Sequence, residues 1–370
     1  MIAQIRALFL TILLLPGCAG KSAVAPAPQA LHFHAVRPDS PVPIVIVEGD
    51  ARSMGRQQGE TLKSNIATLH AAYMQALFQD PMVRDLALKN AAAYEAFIDP
   101  EHVEEIHALS QASGLDYINT LLSQCFLDII PMVACSTVSL PANASPDNVA
   151  RMARNLDFPS MGVADKESLI IIYKPKNRFH FASITWPGLI GALTGMNEHG
   201  LVLANMEVTR LPAPAKAMPY VLLYRTILEK CRTVDEAIAM LKSLPKQTAN
   251  NLMLMDATGH RAVVEINPPG VTVREGRDGE ALLSTNHQRG QNYSAPKRCS
   301  RYDRMLTSSQ ESFGAIDESQ LQTIIQSVAV RHFTLQSMVF EPANRTIYLS
   351  TGESAGDGPY HRIDLGALMR

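Results

Sequence analysis

The spacing of apolar residues divides the chain into a helical first part and a largely β second part. A short apolar run over residues 44–50 predicts one strand. Apolar positions then recur at helical spacing to about Phe78 and again over residues 82–97, 100–113 and 115–129. The first part is therefore expected to form one strand followed by a set of helices.

Beyond Pro131 the pattern changes to short apolar runs separated by turn residues. These runs predict strands at residues 135–140, 149–157, 168–174, 179–185, 250–256, 260–266, 270–274 and 281–285, a strand–turn–strand unit over 193–205, and a hairpin of 336–341 with 345–350. Two helix pairs lie between them, at 219–231 with 233–244, and at 299–309 with 317–329. This order predicts an α+β fold, a four-layer αββα sandwich of two antiparallel sheets.

The N-terminus has the pattern of a targeting segment. Its first residues are basic, and residues 7–15 are apolar but well short of the ~20 residues that a membrane-spanning helix needs. The sequence Leu15-Pro16-Gly17-Cys18 resembles a bacterial lipobox, so we expect residues 1–18 to be a lipoprotein signal with Cys18 as the lipidated residue. An ordinary secretory signal is the alternative. Residues 19–43, rich in Ala, Pro and Ser, predict a flexible tether.

Composition and charge narrow the classes of function. Of the 370 residues 46 % are apolar, enough for a large core, and a net charge of −2 with scattered Lys and Arg gives no basis for nucleic-acid binding. A lipid anchor would attach the protein to a bacterial membrane in the cell envelope. Ala19, directly after the lipidated cysteine, is compatible with the periplasmic side of the outer membrane. No motif requires a cofactor or a metal.

Cysteine usage leaves two interpretations open. Once Cys18 carries lipid, four cysteines remain, at positions 125, 135, 231 and 299. They could form two disulfides in an oxidising compartment, although a reactive Cys135 should stay unpaired. Their spacing matches no metal-binding motif, and we expect mostly buried thiols.

Cys135 is the candidate nucleophile. It opens a predicted strand, follows the small residue Ala134, and precedes Arg154 and Asp157 by about twenty residues. If the Ala134–Cys135 bond is cut, the same residue supplies a thiol and an α-amino group. That amino group titrates near ~8, against ~10.4 for a lysine, so it can accept a proton at neutral pH.

Six separate motifs in the right order resemble one known family. They are the glycine pair Gly55 and Gly59, Ala134-Cys135-Ser136-Thr137, Arg154-Asn155-Leu156-Asp157-Phe158, Gly195 to Leu201, Thr285-Asn286-His287 and Ser300-Arg301-Tyr302. The chain resembles the autoprocessing N-terminal-nucleophile (Ntn) hydrolases of the acyl-coenzyme A:6-aminopenicillanic acid acyltransferase type, also called peptidase family C45. More distantly it resembles the choloylglycine hydrolases and acid ceramidases. The resemblance implies an Ntn-hydrolase sandwich.

The resemblance also implies a division of the chain and a role for each site residue. Residues 44–134 would be a helical pro-segment that becomes the α chain, and residues 135–370 the catalytic β chain of a heterodimer. Cys135 would attack the preceding carbonyl and later the substrate. Arg154 would stabilise the thiolate or an acyl oxygen, and Asp157 would orient the new amino group. Asn286 would donate to the oxyanion, and Arg301 would be a further site arginine.

Two geometric expectations accompany these roles. Residues three apart in a regular strand point to opposite faces, so we expect a bulge or turn to bring both Arg154 and Asp157 to Cys135. Trp186, the only tryptophan, and Tyr173 are expected in the core rather than in an acyl pocket.

Three functions are compatible with these motifs. The first is an autoprocessing amidohydrolase or acyltransferase that acts on a non-peptide linear amide, an N-acyl compound or an acyl thioester. The second is a papain-like hydrolase that pairs Cys135 with His287 or His332 and does not cut its own chain. The third is a non-catalytic envelope lipoprotein that keeps the fold. The sequence does not decide between hydrolysis and acyl transfer.

Overall fold

The computed structural model of the protein describes residues 40–130, 132, 134–208, 216–268, 270–290 and 298–370. The described residues form one compact unit. Within them, no helix combines the length and the apolar character needed to cross a bilayer. The signal segment with Cys18, and most of the tether, lie outside the described residues, so lipidation and the tether stay predictions.

The first part of the chain forms one strand and five helices. These are β1 (Ile44–Gly49), α1 (Ala51–Thr61), α2 (Lys63–Leu77), α3 (Pro81–Tyr94), α4 (Pro100–Ser113) and α5 (Tyr117–Ile129). The long helix expected up to Phe78 is broken at Leu62, whose backbone leaves the helical region at φ −111° and ψ 19°. Asp50, Asp80 and Asp99 each cap the helix that follows by accepting a hydrogen bond from a first-turn N–H.

The second part supplies thirteen strands and five helices among the described residues. The strands are β2 (Ala134–Leu140), β3 (Arg151–Asp157), β4 (Leu169–Pro175), β5 (Phe181–Thr185), β6 (Thr194–Asn197), β7 (Val202–Glu207), β8 (Asn250–Met255), β9 (Arg261–Asn267), β10 (Gly270–Glu275), β11 (Leu282–Ser284), β12 (Thr334–Glu341), β13 (Thr346–Thr351) and β14 (His361–Asp364). The helices are α6 (Tyr220–Lys230), α7 (Val234–Ser243), α8 (Ser300–Glu311), α9 (Glu318–Gln326) and α10 (Leu365–Met369).

The strands form two sheets that face each other. One has eight strands in the order β1-β4-β5-β6-β7-β8-β9-β10, and the other has six in the order β11-β2-β3-β12-β13-β14. Side chains meet between them, as where the Thr137 hydroxyl lies 2.7 Å from the Met206 sulfur. Helices α6 and α7 cover the eight-stranded sheet, and α8 and α9 cover the six-stranded one. The αββα sandwich expected from the sequence is confirmed.

One strand pair departs from the expected antiparallel order. Strand β1 pairs parallel with β4, so that Ile44 lies opposite Ile170 and Gly49 opposite Pro175. The segment before the proposed cleavage point therefore contributes an edge strand to the eight-stranded sheet. The division of the chain at 134/135 concerns processing and stays a prediction.

The glycine pair in α1 allows a close helix crossing. A Cβ at Gly55 would lie 2.2 Å from the Glu105 carbonyl oxygen of α4, and one at Gly59 would lie 2.6 Å from the Ala112 Cβ. No side chain fits at either position, so the two glycines set the distance between α1 and α4.

A buried network of charges joins α4 to α6. Arg225 donates two hydrogen bonds to Glu105, at 2.9 and 2.6 Å, and one to Glu229 at 2.8 Å. His102 lies 3.1 Å from Glu229, which also accepts from Arg178. Burial alone would raise the pKa of Glu229, but the neighbouring cations outweigh it and hold that pKa below its usual range. This network fastens the first part of the chain to the second.

The four described cysteines, at positions 125, 135, 231 and 299, are free and buried. This agrees with the expectation of buried thiols rather than disulfides.

Candidate active site

Cys135 is the second residue of β2, and its side chain is fully buried. The strand that the sequence predicted to open here is confirmed. Cys135 lies opposite Leu156 of β3, and Ala134 lies opposite Asp157. Pairing with β3 therefore brings the Arg154–Asp157 segment beside Cys135, although nineteen residues separate Cys135 from Arg154 along the chain.

Three side chains hold three different atoms of Cys135. Arg154 Nη2 lies 3.2 Å from the sulfur, and Asn286 Oδ1 accepts a 2.9 Å hydrogen bond from the Cys135 N–H. Arg301 Nη1 donates to the Cys135 carbonyl oxygen at 2.6 Å and to the Ser136 hydroxyl at 3.0 Å. The N–H that Asn286 holds belongs to the peptide bond proposed for cleavage.

Arg154 is itself held in place from the other sheet. Its Nη1 donates to the Leu193 carbonyl at 2.8 Å and to the Thr194 hydroxyl, and the residue is fully buried. The guanidinium therefore stays directed at the sulfur. Burial raises the pKa of the Cys135 thiol, and this outweighs the lowering by Arg154.

The expected bulge in β3 is absent, which corrects the predicted placement of Asp157. Strand β3 pairs with β2 without interruption, and the irregularity lies in β12, between Thr334 and Gln336. Arg154 faces the sulfur and the space between the sheets. Asp157 points to the opposite face, where it accepts a 2.5 Å hydrogen bond from Thr334 and forms a 3.4 Å ion pair with Arg301.

Asp157 is a buried acid whose carboxyl pKa is raised. Burial raises that pKa to about 6, although Thr334, Arg301 and Arg154 act in the opposite direction. Asp157 lies opposite Ala134 in the ladder between β2 and β3.

Asn286 is held by its neighbours in one orientation. Its Oδ1 accepts from Cys135 N–H and from Arg301 Nη2 at 2.9 Å, and its Nδ2 donates to the Glu207 carbonyl at 2.7 Å. Asn251 supports the same segment by donating to the carbonyls of Thr285 and His287. The role of Asn286 as oxyanion donor stays a prediction, because its donor atom Nδ2 is bound to the Glu207 carbonyl here.

Neither candidate histidine hydrogen-bonds the Cys135 thiol among the described residues. His332 is exposed and lies 3.2 Å from Glu353, in a left-handed backbone conformation. Burial lowers the pKa of His287, and the positive charges of Arg301 and Arg289 lower it further. The strand at Cys135 and the arginine at its sulfur favour the Ntn arrangement over a papain-like one.

An apolar cavity of about 100 Å³ lies between α2, α5 and residues 186–193. Leu193, whose carbonyl binds Arg154, is part of its wall, and so is Phe158, which directly follows Asp157. Trp186 also lines it, and it is a buried core residue, as expected. Tyr173 is a core residue as expected, fully buried and bound to Gln58.

Across the described residues, no group of three or more His, Cys, Asp or Glu side chains is placed to hold a metal ion. The site is built from one thiol, two arginines, one carboxyl and one amide.

Sequence reasoning missed the residues that position this set. Three polar residues fix proposed catalytic side chains or segments by one or two hydrogen bonds each. Thr194 holds Arg154, Thr334 holds Asp157, and Asn251 holds the segment around Asn286. Their common signal is a polar residue next to apolar strand residues, as in Leu193-Thr194-Gly195 and Phe333-Thr334-Leu335. Such residues are more often satisfied locally, so the pattern alone does not select them.

Known proteins match this chain in part. Protein dcd1A of Dictyostelium discoideum is 25 % identical over 233 residues, covering 54 % of this chain, and the chain spans about half (53 %) of the length of that curated relative. A mutant conjugated bile acid hydrolase of Clostridium perfringens is 17 % identical in sequence, with a TM-score of 0.47 over 63 % of this chain and 93 % of that one. Penicillin V acylase of Agrobacterium tumefaciens is 16 % identical, with a TM-score of 0.42 over 63 % of this chain and 92 % of that one.

The family itself follows from a sequence model rather than from these partial matches. The matching model describes the acyl-coenzyme A:6-aminopenicillanic acid acyl-transferases, and it covers residues 144–355, which include Arg154, Asp157, Asn286 and Arg301. Because the match spans more than half of the chain, the protein belongs to the acyl-coenzyme A:6-aminopenicillanic acid acyl-transferase family.

Proposed function

We propose that the protein is an autoprocessing cysteine Ntn enzyme of the C45 type that cleaves a non-peptide N-acyl amide, or transfers its acyl group, through an acyl-enzyme on Cys135. One observation carries this proposal. Asn286, Arg301 and Arg154 hold respectively the N–H, the carbonyl oxygen and the sulfur of the same residue. An inert buried cysteine needs no such set of partners.

The first reaction is cleavage of the chain by its own thiol. Cys135 Sγ attacks the Ala134 carbonyl carbon, the C–N bond to Cys135 breaks, and the departing nitrogen takes up a proton. Asn286 holds this nitrogen before the bond breaks. Water then opens the thioester, which leaves a carboxylate on Ala134 and a free thiol and amine on Cys135.

The second reaction is turnover of substrate by the freed residue. The α-amine, with a pKa near ~8, accepts the thiol proton, and the thiolate attacks the substrate carbonyl carbon. The substrate C–N bond breaks, and its nitrogen leaves with that proton. Arg154 stabilises the thiolate before attack, and Asp157 orients the ammonium form of the amine. Asn286 donates to the oxyanion through Nδ2, the atom that donates to the Glu207 carbonyl in the uncut chain.

The molecule that accepts the acyl group from Cys135 decides between hydrolysis and acyl transfer. Water on the acyl-enzyme gives hydrolysis, and an amine gives acyl transfer. We propose hydrolysis as the main outcome, because an enzyme anchored in the cell envelope meets water at far higher concentration than any amine or acyl thioester. Cys18 is the proposed anchor, and residues 18–134 and 135–370 are the proposed chains of a heterodimer.

Intact mass and N-terminal sequencing of the purified protein test this proposal. Processing predicts one chain of 117 residues (18–134), which begins at the lipidated Cys18, and one of 236 residues (135–370). The variant Cys135→Ala should remain uncut and inactive, while the matched control Cys231→Ala, also a buried free thiol, should be cut normally. Finding no fragment that begins at residue 135 in protein that still hydrolyses amides would falsify the mechanism.

Two variants separate this proposal from its alternatives. His287→Ala should leave processing intact, whereas a papain-like pair would lose its activity with the histidine. An intact Ala134–Cys135 bond, together with the failure to trap an acyl group on Cys135, would instead support the non-catalytic envelope lipoprotein.

A further inference from the structure

We infer that Gln124 in α5 is a positioning residue for the reaction at Cys135, although its amide makes no hydrogen bond to Cys135 or to Arg154. It fixes the segment 186–193, which leads directly into the two groups that hold the Arg154 guanidinium. The inference rests on the proposed function, because it assigns a further residue to that same site. Gln124 precedes the proposed cleavage point, so the first chain takes part in catalysis after the cut.

The Arg154 guanidinium depends on few partners. Its Nη1 donates to the Leu193 carbonyl at 2.8 Å and to the Thr194 hydroxyl, and its Nη2 lies 3.2 Å from the Cys135 sulfur. The Leu193 carbonyl also accepts from the Asn205 N–H of β7. Among the described residues, the Arg154 Nε has no hydrogen-bond partner. Leu193 and Thr194 therefore set the direction of the guanidinium, and a small shift of either one moves it relative to the sulfur.

The segment 186–193 joins β5 to β6 and is buried along its whole length. Its backbone N–H and C=O groups need partners within the protein, because water does not reach them. Gln124 supplies two such partners. Its Nε2 donates to the Gly188 carbonyl at 2.7 Å, and its Oε1 accepts from the Ile190 N–H at 2.9 Å. The side-chain amide thus binds this segment as the backbone of a neighbouring strand would.

Helix α6 holds the same segment from the second part of the chain. Arg225 donates to the Ile190 carbonyl at 3.1 Å, and its charge is balanced by Glu105 and Glu229. Gln124 is therefore the contribution of the first part to a loop that both parts hold in place.

Loss of the Gln124 amide should slow the chemical step rather than weaken substrate binding. The Gly188 carbonyl and the Ile190 N–H would be buried without partners, so the segment has to shift to find new ones. The shift reaches Leu193 and Thr194, and the guanidinium then stabilises the thiolate less well. An interaction that acts on the thiolate lowers kcat, with little change in KM.

The variant Gln124→Met tests this, because methionine has nearly the shape of glutamine but no amide. In protein that mass spectrometry shows to be fully cut, kcat for an N-acyl p-nitroanilide should fall about fivefold or more, with KM within about twofold. The matched control is Gln58→Met. Gln58 is equally buried and donates to Tyr173 of the second part at 2.8 Å, but it makes no hydrogen bond to the segment 186–193. Its replacement should leave kcat and KM unchanged.

A double variant shows whether Gln124 acts through Arg154. Thr194→Val removes a hydrogen bond to the guanidinium directly. The same guanidinium is displaced in both single variants, so Gln124→Met with Thr194→Val should lower kcat by clearly less than the product of the two single effects. A double effect equal to that product would overturn the inference. So would an unchanged kcat in Gln124→Met, or an equal loss of kcat in Gln58→Met.

A second variant, Gln124→Glu, keeps the test decisive if Gln124→Met does not fold. A protonated carboxyl accepts from the Ile190 N–H and donates to the Gly188 carbonyl, as the amide does, whereas a carboxylate repels that carbonyl. Burial raises the pKa of the new carboxyl, so kcat relative to the unchanged protein should rise as the pH falls from 8 to 5. A ratio that stays constant over this range would overturn the inference.

Trp186 distinguishes the inference from the function on which it rests. It is the only tryptophan and opens the same segment, so it reports on that segment without catalysis. In a Cys135→Ala background, acrylamide should quench its emission more strongly after Gln124→Met and equally after Gln58→Met. That result, without any hydrolysis that depends on Cys135, overturns the proposed enzyme and leaves Gln124 as the residue that fixes the segment. Hydrolysis that depends on Cys135 and is not slowed by Gln124→Met overturns the positioning role and leaves the enzyme.

Discussion

Replacing Arg225 by methionine should destabilise the protein more than almost any other single change. The guanidinium is 1 % exposed, and it neutralises Glu105 and Glu229, whose side chains are 1 % exposed as well. Removing one partner of a buried ion pair costs about 3–5 kcal/mol, because the remaining charge has neither water nor a counter-ion. Arg225→Met leaves Glu105 buried without its cation, whereas Glu229 keeps Arg178 and His102, so we expect about 3–5 kcal/mol of lost unfolding free energy.

The reciprocal change should cost less, and this asymmetry is the sharper test. In Glu105→Gln, Arg225 keeps its 2.8 Å bond to Glu229, and the new amide oxygen still accepts one hydrogen bond. We therefore expect a loss of about 2–3 kcal/mol. The double variant Glu105→Leu with Arg225→Met should recover part of the loss, because no unpaired charge then remains at position 105.

Urea unfolding measures these differences, followed by far-ultraviolet circular dichroism in a Cys135→Ala background, where a single uncut chain unfolds. The exposed pair Arg56–Glu60 provides the control, because its side chains are 56 % and 57 % exposed. Glu60→Gln should change the free energy of unfolding by less than about 0.5 kcal/mol. A loss below about 1 kcal/mol for Arg225→Met would refute the idea that this network fastens the two parts of the chain.

Three further predictions concern the site and the anchor. Thr194→Val removes a hydrogen bond to the Arg154 guanidinium and should lower kcat by about tenfold or more with little effect on folding, as measured by turnover and thermal unfolding. Burial lifts the Asp157 pKa from 3.8 to about 6, so unfolding free energy should fall by about 2 kcal/mol as pH rises from 4 to 7, relative to an Asp157→Asn variant in the same Cys135→Ala background. A flat difference between those two proteins would contradict this assignment. Cys18→Ala should move the protein from the detergent phase to the aqueous phase in Triton X-114 partition.

The local pattern of apolar, polar and capping residues predicted most of the helices and strands. The Thr233–Glu236 capping box opens α7 as expected, with the Thr233 side chain accepting from the Glu236 N–H. The parallel pairing of β1 with β4 was missed, because the choice of partner strand depends on packing across more than a hundred residues. The break at Leu62 was missed because leucine fits the apolar face of one continuous helix, so the local pattern gives no sign of a break there.

The candidate site shows the same division. Order along the chain was enough to select Cys135, Arg154, Asp157, Asn286 and Arg301, which the structure brings together around one residue. The faces on which they act could not be predicted, because the irregular strand is β12 and lies more than 170 residues away from β3 in sequence. The two-residue period of a strand shows that Arg154 and Asp157 point to opposite faces of the sheet. It does not show which residues each of them contacts.

The complete burial of the Cys135 sulfur protects it as well as holding it ready. Oxidants and alkylating reagents need contact with the sulfur atom, and in the uncut chain solvent does not reach it. The uncut precursor should therefore survive an oxidising compartment with its thiol intact, and iodoacetamide should label Cys135 only after the chain has been cut.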